Sequence, residues 1–89
     1  MPTRKARATW SGGLKTGKGR FEGATGAFAA PYSVQSRFGS EPGSNPEELL
    51  AAAHAACYSM ALALGMEREG HAPENVQTDA ACTIEPEGA

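Results

Sequence analysis

"NPEELLAAAHAACYSMALALG", Asn45 to Gly65, is the most apolar stretch of the chain, with Cys57 near its middle. Asn45 is a good N-cap, Pro46 suits a first helical position, and Glu48 stands where a capping box places its carboxylate. Glu47 and Glu48 both lie at the positive end of the helix dipole. Gly70 is a natural C′ residue, so the spacing predicts a helix over 46–69, about 36 Å long. From Leu49 to Leu64 only His54, Tyr58 and Ser59 carry polar side-chain atoms. A helix apolar nearly all round is expected to be buried on most sides, and its alanines admit close approach of another backbone. The stretch therefore predicts a long buried central helix carrying a buried thiol.

The flanking segments read as strands. "KARATW" (Lys5–Trp10) alternates with period two, "SGG" turns the chain, and "LKTGKGRFEG" reads as a glycine-loosened return strand. "ATGAFAAP" (Ala24–Pro31) reads as a connection, and "YSVQSRF" (Tyr32–Phe38) alternates again. Together they predict an antiparallel three-stranded meander, with Arg37 on the strand face opposite Val34 and Phe38. "GSEPGS" (Gly39–Ser44) is a loop of turn formers. After the helix, Val76, Thr78, Ala80, Cys82 and Ile84 alternate with polar neighbours, which predicts a half-buried strand before "PEGA". The class is α+β. One three-stranded sheet cannot cover the helix, which calls for a second helix, another sheet or a second subunit.

The 89 residues are enough for one domain, residues 1–89. A chain this short buries only about 60–65% of its unfolded surface. Hydrophobic residues make up 40%, many of them alanine, which removes little apolar area per residue. The chain is thus expected to pair with a partner or to be part of something longer. A net charge of -2 with no sustained basic stripe argues against nucleic acid. The N-terminus lacks the apolar core of a signal peptide. Glu47, Glu48 and His54 argue against a membrane span. Two cysteines are too few for a disulfide scaffold and point to a reducing cytoplasm.

Other motifs read blandly. Gly12, Gly17 and Lys18 match the spacing of a phosphate-binding loop, but Gly19 replaces the Ser or Thr and "RFEGATG" is no helix, so a flexible hairpin is expected. Cys82, on the apolar face of its strand, reads as a small packed hydrophobe or a redox partner of Cys57. His54 shares a helix face with Cys57, where it serves packing, an interface or thiol activation. Two His and two Cys give a zinc site no support, and no cofactor is expected.

"SRFGSEPGSNPEELLAAAHAACYSMAL" closely resembles the OsmC/Ohr superfamily, the OsmC branch in particular. The pattern there has an Arg, an "NPEEL" helix start and "AAHAACFSMAL" around a peroxidatic cysteine. Here these are Arg37, Asn45 to Leu49, and Ala52 to Leu62, with Tyr58 where Phe is common. The run from Trp10 to Gly19 is also similar. The resemblance implies a thiol-dependent peroxidase of oxidative or osmotic stress that reduces organic hydroperoxides. It implies an intertwined homodimer with sites at the interface and a dithiol reductant such as dihydrolipoyl groups. By residue match, Cys57 is the peroxidatic cysteine, Arg37 its activating cation and Glu47 the carboxylate that orients the Arg. Family members continue with further strands and a second long helix bearing a resolving cysteine in a "CPVS"-like motif. Cys82 does not match that cysteine, so the chain is expected to represent the N-terminal part of the fold, without its C-terminal half.

That role makes chemical demands. A thiolate must attack the peroxide, and an apolar setting opposes thiolate formation. Cys57 lies too deep in the helix for the dipole to help, which leaves a guanidinium as the compensating charge. Glu47, ten residues before Cys57, is about 15 Å away along the axis. It reaches the site through a folded-back Arg37 or belongs to the site of a partner subunit, the arrangement an alanine-rich helix favours. The competing function is a catalytically silent fragment that dimerises or binds small hydrophobic ligands.

Overall fold

The computed structural model describes residues 2–85. In chain order they form β1 (Ala6–Ser11), β2 (Lys18–Gly23), β3 (Ala29–Tyr32), α1 (Val34–Phe38) and α2 (Pro46–Arg68). This is the expected α+β arrangement of a three-stranded sheet followed by a long helix. The elements fall into two units, Met1–Pro46 and Glu47–Ala89.

In the first unit the sheet has the order β1-β2-β3, antiparallel throughout. Ala8 pairs with Phe21 and Phe21 with Ala30. Phe21, 7% exposed, is the apolar centre of the unit, and its ring lies 5.2 Å from that of Tyr32. Trp10 pairs with Gly19, which in turn pairs with Tyr32. A Cβ on Gly19 would come within 2.6 Å of both aromatic rings, so only glycine fits there. The glycine-rich loop between β1 and β2 is a hairpin closed by Gly17 N–H donating to Gly13 O at 2.7 Å. The Trp10 indole N–H donates to Gly12 O at 3.1 Å. The loop leads into a strand, and the phosphate-loop spacing is accidental.

The third strand is not where alternation places it. β3 is Ala29–Tyr32, within and just after the supposed connection, and Val34–Phe38 of "YSVQSRF" is the short helix α1. Four alternating side chains were outweighed by a local cap. Ser33, extended at φ -158°, accepts from Ser36 N–H at 3.1 Å, and Ser36 Oγ accepts from Ser33 N–H at 2.8 Å. This reciprocal box satisfies donors that a strand would leave to a ladder partner. Both serines are buried. Ser36 Oγ donates to Ser44 O at 2.8 Å, Asn45 Nδ2 donates to Ser36 O at 3.2 Å, and Ser44 N–H donates to Pro31 O at 3.0 Å. The loop ahead of α2 is thereby tied to both β3 and α1.

The second unit is α2 and the segment after it. The helix carries Glu47 and Glu48 in its first turn and Arg68 in its last. It ends as expected at Gly70, with φ +91°. Gly70 N–H donates to Glu67 O and His71 N–H to Met66 O, both at 2.9 Å, the bond pair of a Schellman motif. The expectation of a buried helix is corrected: none of its residues is buried. Half-buried positions include Glu47, Leu49 and the i+4 stripe Ala51, Ala55, Ser59 and Ala63. Past the turn, Val76, Thr78 and Ala80 are half-buried in alternation, and Ser59 Oγ and Thr78 Oγ1 are hydrogen-bonded at 2.7 Å. The alternation of 76–80 is real, but no ladder forms over 76–85 among the described residues. The segment lies by side chains against the helix instead of pairing in a sheet. "PEGA" lies outside the described residues.

The helix is long and apolar enough to cross a membrane by length and composition alone. Of the three residues the sequence sets against a span, Glu47 and Glu48 lie in the first turn of the helix and His54 lies within it. The core helix of a soluble protein meets the same test.

Candidate active site

Cys57 stands midway along α2. Ser59 of the half-covered stripe is two residues on, about 200° around the axis, so Cys57 faces away from that stripe. One helical turn to either side, Ala53, His54, Met60 and Ala61 share its face, and Leu50 and Leu64 continue it two turns away. Met60 is 76% exposed and Leu50 61%, and Cys57 itself is exposed. The expectation of a buried thiol is therefore corrected, as it is for the helix as a whole. The arrangement is a free, accessible thiol on a face that is apolar apart from His54, which suits a nucleophile meeting an organic substrate.

Glu47 lies in the first turn of the same helix, half-buried. It is about 15 Å from Cys57 along the axis and about 80° around it, so α2 does not bring the two together. Arg37 belongs to the first unit, on the exposed side of α1 rather than on a strand. Its guanidinium lies over the Phe38 ring, 5.3 Å from the centroid. It borders a cleft of about 340 Å³ lined by Trp10, Leu14, Tyr32, Val34 and Phe38. An apolar body with a polar tip fits such a cleft.

Cys82 is exposed and free in the irregular segment after α2, not packed as its alternation suggested. His54 keeps the face it was expected to share with Cys57. Among the described residues no group of His, Cys, Asp and Glu is placed to hold a metal ion. The sequence reading missed the Ser33–Ser36–Asn45 network beside Arg37. Its signal was present as two serines three residues apart, the spacing of a capping box, overlooked because the segment also alternates.

Residues 39–89 match the family model of OsmC-like proteins. The chain belongs to the OsmC family. It is 42% identical over 83 residues to the peroxiredoxin OsmC of Escherichia coli (strain K12), and equally to that of Shigella flexneri. The match takes in 92% of this chain and 58% of each relative, so the chain spans little more than half the length of those OsmC proteins. Glu47 and Cys57 fall inside the stretch matched by the OsmC model, and Arg37 two residues before it.

Proposed function

We propose that this chain provides the peroxidatic part of a thiol peroxidase that reduces organic hydroperoxides to alcohols. The observation that carries the reading is Cys57, an accessible thiol in an apolar face inside the stretch matched by the OsmC family model. Its thiolate attacks the terminal peroxide oxygen. The O–O bond breaks, the alkoxide takes a proton and leaves as the alcohol, and Cys57 becomes a sulfenic acid. A dithiol, of the lipoyl type in this proposal, then attacks that sulfur and releases water. Its second thiol displaces Cys57 as the free thiol and closes the reductant's own disulfide.

Arg37 is the activating cation in this reading, because a guanidinium stays charged and bonds thiolate and carboxylate together. Glu47 orients Arg37. A homodimer supplies the missing cover for α2, and Leu50, Met60 and Leu64 give the apolar wall that favours bulky peroxides over hydrogen peroxide. The relatives' name, peroxiredoxin, supports the reaction class. Two free thiols suit a reducing cytoplasm and a role in oxidative stress. Mass spectrometry of Cys57 after an organic hydroperoxide and a sulfenic-acid trap tests the proposal, and a trapped adduct is expected. An unmodified Cys57 at large peroxide excess favours the second reading, a silent dimerising or hydrophobic-ligand-binding surface. The uncovered apolar face of α2 is the observation behind that alternative.

A further inference from the structure

We infer that Ser36 is a positioning residue for Arg37; the inference rests on the peroxidase reading above. α1 spans five residues, too few to hold a helix by its own propensity. The direction of its exposed Arg37 therefore depends in part on the buried residue beside it. Ser36 is 7% exposed and engaged on three sides. Its Oγ accepts from Ser33 N–H, the same hydroxyl donates to Ser44 O, and its carbonyl accepts from Asn45 Nδ2. The first bond closes the N-terminal cap of α1. The other two fasten α1 to the residues immediately ahead of α2. Arg37 N–H donates to Ser33 O at 3.0 Å, so the guanidinium-bearing residue hangs directly from this capped turn. A serine that only filled space there would not need a hydroxyl with a partner on each side. Without the hydroxyl, Ser33 N–H and Ser44 O lose their buried partner, and the turn relaxes toward alternatives that aim Arg37 elsewhere.

The test compares wild type with Ser36→Ala, Ser36→Thr, Arg37→Ala and the double variant Ser36→Ala/Arg37→Ala in the full chain. The rate of Cys57 oxidation by an organic hydroperoxide is read at the Cys57 peptide, with thermal melting as the folding control. Ser36→Ala is expected to slow oxidation by about tenfold, the scale of one lost hydrogen bond. Ser36→Thr, which keeps the hydroxyl, restores the rate. In the Arg37→Ala background Ser36→Ala causes no further loss. If Ser36→Ala is not folded at the assay temperature, Ser33→Ala cuts the same box from the other side and carries the same expectation. An Arg37→Ala that is slow beside a Ser36→Ala at the wild-type rate overturns the positioning role alone. So does a Ser36→Ala effect that adds in full to that of Arg37→Ala. An Arg37→Ala at the wild-type rate removes Arg37 from the chemistry and the present inference with it.

Discussion

Trp10 and Tyr32, on strands that flank β2, meet with ring centroids 5.3 Å apart because the residue between them in the register is Gly19. The tilted pair covers the bare backbone of the glycine and joins all three strands through one contact. Gly19→Ala forces a methyl group into both rings. It is expected to lower stability by about 1–3 kcal/mol, as overpacking does. The shift of the urea midpoint at constant slope measures it, and an unchanged midpoint contradicts the stacked arrangement.

The C-terminal stop of α2 depends on a left-handed residue. Gly70→Ala keeps every side-chain contact and strains the backbone at φ +91°. A loss of about 1 kcal/mol is expected, with fraying of the last turn. Hydrogen exchange at the Gly70 and His71 amides, which close the motif, reports it directly. Exchange at those amides as slow as in wild type contradicts the account.

The two exposed thiols are expected to differ in reactivity despite their similar exposure. Cys57→Ser abolishes trapping of a sulfenic acid, and Cys82→Ser leaves the rate of peroxide consumption within about twofold, because Cys82 lies outside the α2 face. Arg37→Ala slows the reaction of Cys57 with peroxide by about tenfold or more. Equal peroxide sensitivity of Cys57 and Cys82 in the wild-type chain would falsify the assignment.

Much of this was legible in the sequence for identifiable reasons. Asn45, Pro46, Glu48 and Gly70 act on the backbone next to them, so the start and stop of α2 follow from local chemistry. The period-two alternation of Lys5–Trp10 located β1. Tyr32–Phe38 misled because seven residues are short enough to satisfy period two by accident, and a Ser–Ser cap is stronger than that coincidence. The exposure of Cys57 was not legible at all. Burial is a property of what covers a face, and nothing in the composition of α2 says which atoms do so. The candidate site fared likewise: its residue types could be named, but ten residues of helix separate Glu47 from Cys57, and the short helix that holds Arg37 was hidden behind an apparent strand.

The separation of Glu47 and Cys57 on α2 yields a complementation test. Under the proposed homodimer, Glu47→Gln and Cys57→Ser chains are each inactive. Heterodimers formed by co-refolding have one site with both native residues if Glu47 serves the partner's thiol. Recovery of about a quarter of the wild-type activity is expected for random pairing, since half of the dimers are mixed and each has one intact site of two. Mixed samples that form heterodimers yet remain inactive place Glu47 in the site of its own chain.

Val76 to Ala80 rests on α2 through alternate side chains and the Ser59–Thr78 hydroxyl pair, while its main chain is in no ladder. Attachment of that kind is severable: the segment can peel from the helix without breaking a single rung of backbone bonding. Its amides therefore exchange with solvent at rates set by this local release rather than by global unfolding, whereas those of β2, paired on both sides, report the whole sheet.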